Sequence, residues 1–172
     1  MVEDRRPAPD LARVVVAVDP AVTSGEDSDE TGIVVAGLGT DGRGYLLADR
    51  SCRLSPDGWA RRAVQAFDDH HADVVVGEAN NGGDMVEHTI RTVRRDISYR
   101  KVHASRGKQV RAQPVAALYE QGRISHCEVF AELEEQLTTW TPESGTSPDR
   151  LDALVWAFTE LMVKGGTAPY VF

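Results

Sequence analysis

Arg13-Val14-Val15-Val16-Ala17-Val18-Asp19-Pro20 is the stretch on which the fold turns. A strand that is apolar on nearly every residue leaves no side for water and is buried on both faces of a sheet. Its last residue is a carboxylate, which puts Asp19 at the rim. Val74-Val75-Val76-Gly77-Glu78 repeats the arrangement and ends on Glu78. Two such strands require a central sheet with helices packed on it.

Working outward, the spacing predicts an antiparallel meander: a strand over Arg13 to Asp19, a second over Thr31 to Leu38, and a third from Tyr45 to Leu54 after the turn residues 39–44. Ser55-Pro56 reads as an N-cap with proline at the first helical position, opening a helix that ends near His70-His71. Strand Asp73 to Glu78 is followed by a helix from Asp84 to Arg95, with Met85, Val86, Ile90 and Val93 as its inner stripe. A short strand over Ser98 to His103, a helix over Lys108 to Gln121 that must accommodate Pro114, an edge strand over Arg123 to Cys127 and a helix over Phe130 to Leu137 come next. The final helix begins at Ser147-Pro148. The expected fold class is α/β, a mixed central sheet of three antiparallel strands plus parallel strands, flanked by helices. Residues 1–12 read as a linker or flexible arm, 13–164 as one domain and 165–172 as a tail.

The 172 residues, 41% hydrophobic, suffice for one domain with a real core. A formal charge of -8, from 19 Lys+Arg against 27 Asp+Glu, argues against binding a polyanion over the whole surface. Local charge differs: from Arg91 to Arg111 the chain holds Arg91, Arg94, Arg95, Arg100, Lys101, Arg106, Lys108 and Arg111 against the single acid Asp96. Two distant thiols, Cys52 and Cys127, suggest neither a disulfide framework nor a zinc site and fit a cytoplasmic protein. No stretch reaches the roughly 20 apolar residues of a membrane span.

Chemistry is suggested by acids on three separate elements. Ser147 and Pro148 set the register of the last helix so that Asp149 and Asp152 share one face of its first turns. Apolar neighbours Leu151, Leu154, Val155 and Phe158 put Asp152 at the border of a buried stripe. Each acid has an ordinary alternative: Asp19-Pro20 as a turn dipeptide, Glu78 as a strand end, and Asp149 with Asp152 as complements of a positive helix N-terminus. Together they point to hard divalent cations, because carboxylates without His or Cys select Mg²⁺ or Mn²⁺. Two such ions about 4 Å apart would activate a water and stabilise the leaving oxygen of a phosphodiester. Asp19, Glu78 and Asp152 are the candidate catalytic and metal-binding residues, with Asp149 as a further ligand. Arg106, Lys108 and Arg111 are candidates for neutralising nucleic-acid phosphates, the alternative being a plain solvated basic face. The five histidines show no ligand spacing, and the tryptophans suit packing more than base stacking, with Trp140 singled out by its place in the loop before the final helix.

These residues resemble a family. Val-Ala-Val-Asp-Pro ending at Pro20, Thr31-Gly32-Ile33-Val34-Val35, 77–85, Ala104-Ser105-Arg106-Gly107-Lys108, 111–119, 133–142 and Ser147-Pro148-Asp149-Arg150-Leu151-Asp152-Ala153-Leu154-Val155-Trp156-Ala157 are similar, in that order, to the nuclease domain of the large terminase subunit of tailed bacteriophages, within the RNase H-like superfamily. The resemblance implies an endonuclease that cuts concatemeric double-stranded DNA during packaging, with Asp19, Glu78 and Asp152 as metal-binding acids. It also implies a terminase ATPase domain, a small terminase subunit and a portal protein as partners. No GxxxxGK[ST] phosphate loop is present, since Gly107-Lys108 is followed by Gln109, so no nucleotide cofactor is expected in this chain, which is either an excised domain or a stand-alone nuclease. Two other functions are compatible: a structure-selective nuclease of the Holliday-junction resolvase kind, and a non-catalytic docking domain for DNA or a portal ring.

Overall fold

The computed structural model describes residues 2, 4–20, 30–79, 83–103, 107–141, 143 and 149–164. Its elements run β1 (Leu11–Asp19), β2 (Gly32–Gly39), β3 (Gly44–Asp49), α1 (Pro56–Asp69), β4 (Val74–Glu78), α2 (Gly83–Val93), β5 (Tyr99–Val102), α3 (Lys108–Glu120), β6 (Ile124–His126), α4 (Ala131–Thr139) and α5 (Asp149–Phe158), the last prolonged by wider π-type turns over Thr159–Lys164.

The strands form one sheet in the order β5-β4-β1-β2-β3-β6. Strand β2 is antiparallel to β1 and β3, whereas β4 is parallel to β1 and to β5, and β6 is parallel to β3. Only β2 therefore runs against the rest, and the C-terminal ends of β1, β3, β4 and β5 share one edge of the sheet. The mixed sheet expected from the valine runs is present.

Alternation along the valine strands divides two cores. Val15, Ala17, Val34, Ala36, Leu46, Val74 and Val76 face α3, α4 and α5, joining Val115, Leu118, Leu133, Leu154 and Phe158. Val14, Val16, Val18, Ile33, Val35 and Val75 face α1 and α2, joining Trp59, Ala63, Val86 and Ile90. Burial of both faces is why these strands lack polar positions. By the same parity Asp19, one residue beyond Val18 in β1, and Glu78, one beyond Gly77 in β4, project on the α5 side, since Ala17 pairs with Val76 and Val18 with Gly77.

Local details follow from residue chemistry. The Ser55 hydroxyl accepts from the Gly58 amide at the start of α1, with Pro56 in its first turn, as the sequence indicates. Helix α3 runs unbroken through Pro114. Pro114 lies on the exposed side, as does Val110, whose carbonyl the missing amide would have met, so water can serve it. Met85, expected in the inner stripe of α2, is instead 55% exposed, while Val86 and Ile90 are buried. Met85 stands in the first turn of α2, one position ahead of the row that meets the sheet. Residues Asp4 to Arg6 lie beside β6: the His126 amide donates to the Asp4 carbonyl (3.0 Å) and the Arg6 amide to the His126 carbonyl (3.2 Å). The proposed tail 165–172 and the cap Ser147-Pro148 fall outside the described residues.

Candidate metal centre

The acidic edge is assembled by β1 and α5. In the β1–β2 ladder Asp19 pairs with Gly32, and a Cβ on Gly32 would overlap the backbone carbonyl of Asp149 and come within 3.1 Å of the Ala153 Cβ. The missing side chain lets the first turn of α5 lie directly on the rim of the sheet beside Asp19. Residues three apart on a helix share a face, so Asp149 and Asp152 both turn to that strand end. One carboxylate oxygen from each of Asp19, Asp149 and Asp152 lies within 4.8 Å of the others. Asp152 is the deepest of the three, 7% exposed among Leu151, Ala153 and Val155.

Glu78 is not a member of that trio. It ends β4, the strand beside β1, on the same sheet edge and the same face, and pairs with Val102 of β5.

A cation fits this donor set. Three carboxylates that can present oxygens to one point suit a hard divalent ion.

Arg150, between the two helix acids, is turned the other way. Its guanidinium donates to Glu30 just ahead of β2 (2.9 and 3.1 Å), to Asp49 at the end of β3, and to Glu132 on α4 (2.5 Å). Burial works against its charge, and the Glu30 and Asp49 carboxylates more than offset this, holding its pKa above the usual guanidinium value. Reading the sequence alone missed both Gly32 as a spacer and Arg150 as a clasp. A charged residue inside the apolar run 149–158 was the available signal for the second.

The predicted phosphate contacts have mixed fates. Arg106 lies outside the described residues, as does the side chain of Lys108, whose backbone begins α3. Arg111 stacks on the Trp156 ring of α5, its guanidinium carbon 4.5 Å from the ring centre. Much of the basic run before them is engaged within the protein: Arg91 and Lys101 pair with Glu87 (2.9 and 3.6 Å), Arg94 with Asp68, and Arg100 with buried Glu160 (3.5 Å). Trp140, at the end of α4, packs partly buried against the α5-side core.

The profile of the family described as Terminase RNaseH-like domain matches residues 16–161, which include the end of β1 at Asp19 and all of α5, and therefore every acid of the centre. The chain belongs to that family. No curated protein matches it by sequence. Among solved structures it is similar to the large terminase nuclease of the thermophilic phage G20c crystallised with zinc, at 18% identity and a TM-score of 0.65, covering 92% of this chain and 85% of that one. The same nuclease was crystallised with magnesium and with cobalt. The large terminase of bacteriophage HK97 matches at 11% identity and TM-score 0.65, covering 90% of this terminase chain and 40% of that one. The yeast mitochondrial Holliday junction resolvase shares the fold at 11% identity and TM-score 0.59, covering 95% of this chain and 83% of that one. At these identities the likeness is one of fold, the RNase H-like arrangement of sheet and helices.

Proposed function

We propose that this terminase-family domain is a metal-dependent endonuclease that hydrolyses phosphodiester bonds of double-stranded concatemeric DNA during phage genome packaging. The observation that carries the reading is the convergence of Asp19, Asp149 and Asp152 within 4.8 Å, from a strand end and a helix start that are far apart in sequence. The metals crystallised with the G20c nuclease lend it support.

Asp19 and Asp152 are the principal ligands, Asp149 joins them from the first turn of α5, and Glu78 contributes from the neighbouring strand end. The residues would hold Mg²⁺ or Mn²⁺, two ions on the full reading, which supply a lowered water pKa and neutralisation of charge on the phosphate oxygens. The chain's own part is positional. Strand β1, buried on both faces, fixes Asp19, and the apolar face of α5 fixes Asp152, so neither carboxylate has to be ordered when substrate arrives. Arg111, and Arg106 with Lys108, would neutralise phosphates on either side of the cut and make binding salt-dependent. The ATPase domain, small subunit and portal are the partners that family membership suggests, in a host cytoplasm.

The test is cleavage of linear duplex DNA with Mg²⁺ or Mn²⁺, set beside a four-way junction of the same sequence. Cutting of the duplex that stops on chelation is expected. Preference for the junction would transfer the domain to the resolvase reading, and a protein that binds DNA but cuts neither substrate would leave only a docking role.

A further inference from the structure

We propose that Arg150 is a positioning residue for the metal centre, setting the first turn of α5 so that Asp149 and Asp152 reach Asp19. The proposal rests on the metal reading of the acidic trio. A helix advances about 100° per residue, so with Asp149 and Asp152 on one face Arg150 necessarily leaves on another. That face is occupied by acids from three different elements: Glu30 before β2, Asp49 closing β3 and Glu132 on α4. Arg150 and Asp49 are 12% and 8% exposed at their side chains, Glu30 16%, whereas Glu132 is 72% exposed. The strong contacts are therefore those that tie α5 to the sheet edge.

Geometry makes this clasp specific to the ligands. Asp49 ends β3 at the same edge where Asp19 ends β1, and Gly32 of β2 lies between them in the ladder, touching the Asp149 carbonyl. Gly32 sets how close the helix can come, and Arg150 pulls it there. A planar guanidinium presents five donors in a fixed fork, here to three carboxylates, a geometry that the shorter reach and three tetrahedral donors of a lysine ammonium do not reproduce. Gln136 of α4 also donates to Glu30 (3.5 Å), bracing the acceptor that Arg150 uses. Loss of the clasp would let the first turn lift from Gly32 and spread Asp149 and Asp152 away from Asp19, with the strands left as they are.

Calorimetric titration of Mn²⁺ into the DNA-free protein tests this, with the parent, Arg150→Lys and Asp49→Asn compared and their metal-free melting temperatures recorded. Arg150→Lys is expected to raise the Mn²⁺ Kd by about 10–100-fold, the range for residues that hold a ligand in place. Asp49→Asn, close in shape and leaving Glu30 and Glu132 to Arg150, should raise it less, while its metal-free melting stays near the parent's. Cleavage should recover at saturating Mn²⁺, because the ligands themselves remain. Variants that fold and bind Mn²⁺ as the parent does, even if less stable without metal, overturn the positioning role and leave the metal reading standing. A parent that binds no Mn²⁺ overturns both. Should Arg150→Lys not fold, Asp49→Asn decides alone, and an unchanged Kd there rejects the proposal.

Discussion

Two groups of polar residues sit on the α5 side of the sheet and handle negative charge in opposite ways. At the β6 edge Glu134 of α4 is surrounded by donors of this chain: Arg5 at 2.5 and 2.8 Å, the Phe130 amide at 3.1 Å, and His126 at 2.8 Å. The arrangement continues inward, the Tyr119 hydroxyl donating to Nε2 of fully buried His126 (2.7 Å) while Nδ1–H donates to Glu134. At the rim of β1, by contrast, Asp19, Asp149 and Asp152 are brought against one another, and the nearby cation Arg150 is directed to three other acids. The first group is a network of mixed donors and acceptors centred on one carboxylate. The second gathers three carboxylates within 4.8 Å of one another, a donor set that suits a hard cation.

The comparison breaks most sharply at the carboxylates. Asp19→Asn or Asp152→Asn should lower duplex cleavage by at least about 10³-fold, since a metal site supplies several kcal/mol of charge stabilisation at 1.36 kcal/mol per decade. Glu78→Gln should act in the same direction. The same substitutions should abolish stabilisation by added Mn²⁺ in a melting experiment. A variant that cuts at the parent rate removes its residue from the centre.

At the β6 edge the expected damage is to stability and not to activity. Tyr119→Phe removes the donor to His126 Nε2 and leaves a buried acceptor unmet, at about 1–3 kcal/mol, which for a domain of this size lowers the melting temperature by roughly 2–10 °C. Metal-dependent cleavage at a temperature where the variant is folded should be unaltered. A large loss of activity in the folded variant would mean that the two regions are coupled through α3.

Acid sharpens the same contrast. Burial opposes ionisation of Glu134, but Arg5, His126 and the Phe130 amide outweigh it and bring its pKa down to about 2 from 4.5. Burial also lowers His126 below its ordinary 6.5 despite the neighbouring carboxylate. In both cases the unfolded chain binds more protons than the folded one, so stability rises with pH across each window. The His126 contribution is present above 6.5 and is lost as pH falls below it. The Glu134 contribution is present above 4.5 and is lost on the way down to about 2. Urea midpoints at a series of pH values should show both declines, and Glu134→Gln should erase the lower one.

How much of this was legible beforehand depended on whether the signal was local. The valine runs over β1 and β4 report burial on both faces directly, and the mixed sheet with its acidic edge followed from them. Asp149 and Asp152 were readable as a pair because helix periodicity alone places them together. Glu134, His126 and Tyr119 were not, since their association depends on β6 lying parallel to β3 and on residues Asp4 to Arg6 reaching it, which no periodicity announces. Gly32 and Arg150 were opaque for the same reason: the one is defined by the backbone of a helix more than a hundred residues away, the other by acids on three elements. Part of the basic run from Arg91 is answered inside the protein, by Glu87 one helical turn ahead of Arg91 and by Asp68 and Glu160 from other elements.

The smallest expected effect concerns Arg111, whose helix joins the two regions, with Tyr119 at its far end. Arg111 rests on Trp156, so the ring holds the guanidinium in place beside the helix that bears Asp149 and Asp152. Stacking uses the face of the guanidinium and leaves in-plane N–H groups to donate, which suits a phosphate contact more than a base contact. Arg111→Ala should then weaken DNA binding about equally across sequences and reduce the slope of log affinity against log salt by about 1, one phosphate's worth. Trp156 remains buried at 3% in the folded protein, so its fluorescence offers a check that the core is intact while binding is measured. An unchanged salt slope in the intact variant would assign the Arg111–Trp156 pair to packing of α3 on α5 and leave the phosphate contacts to Arg106 and Lys108.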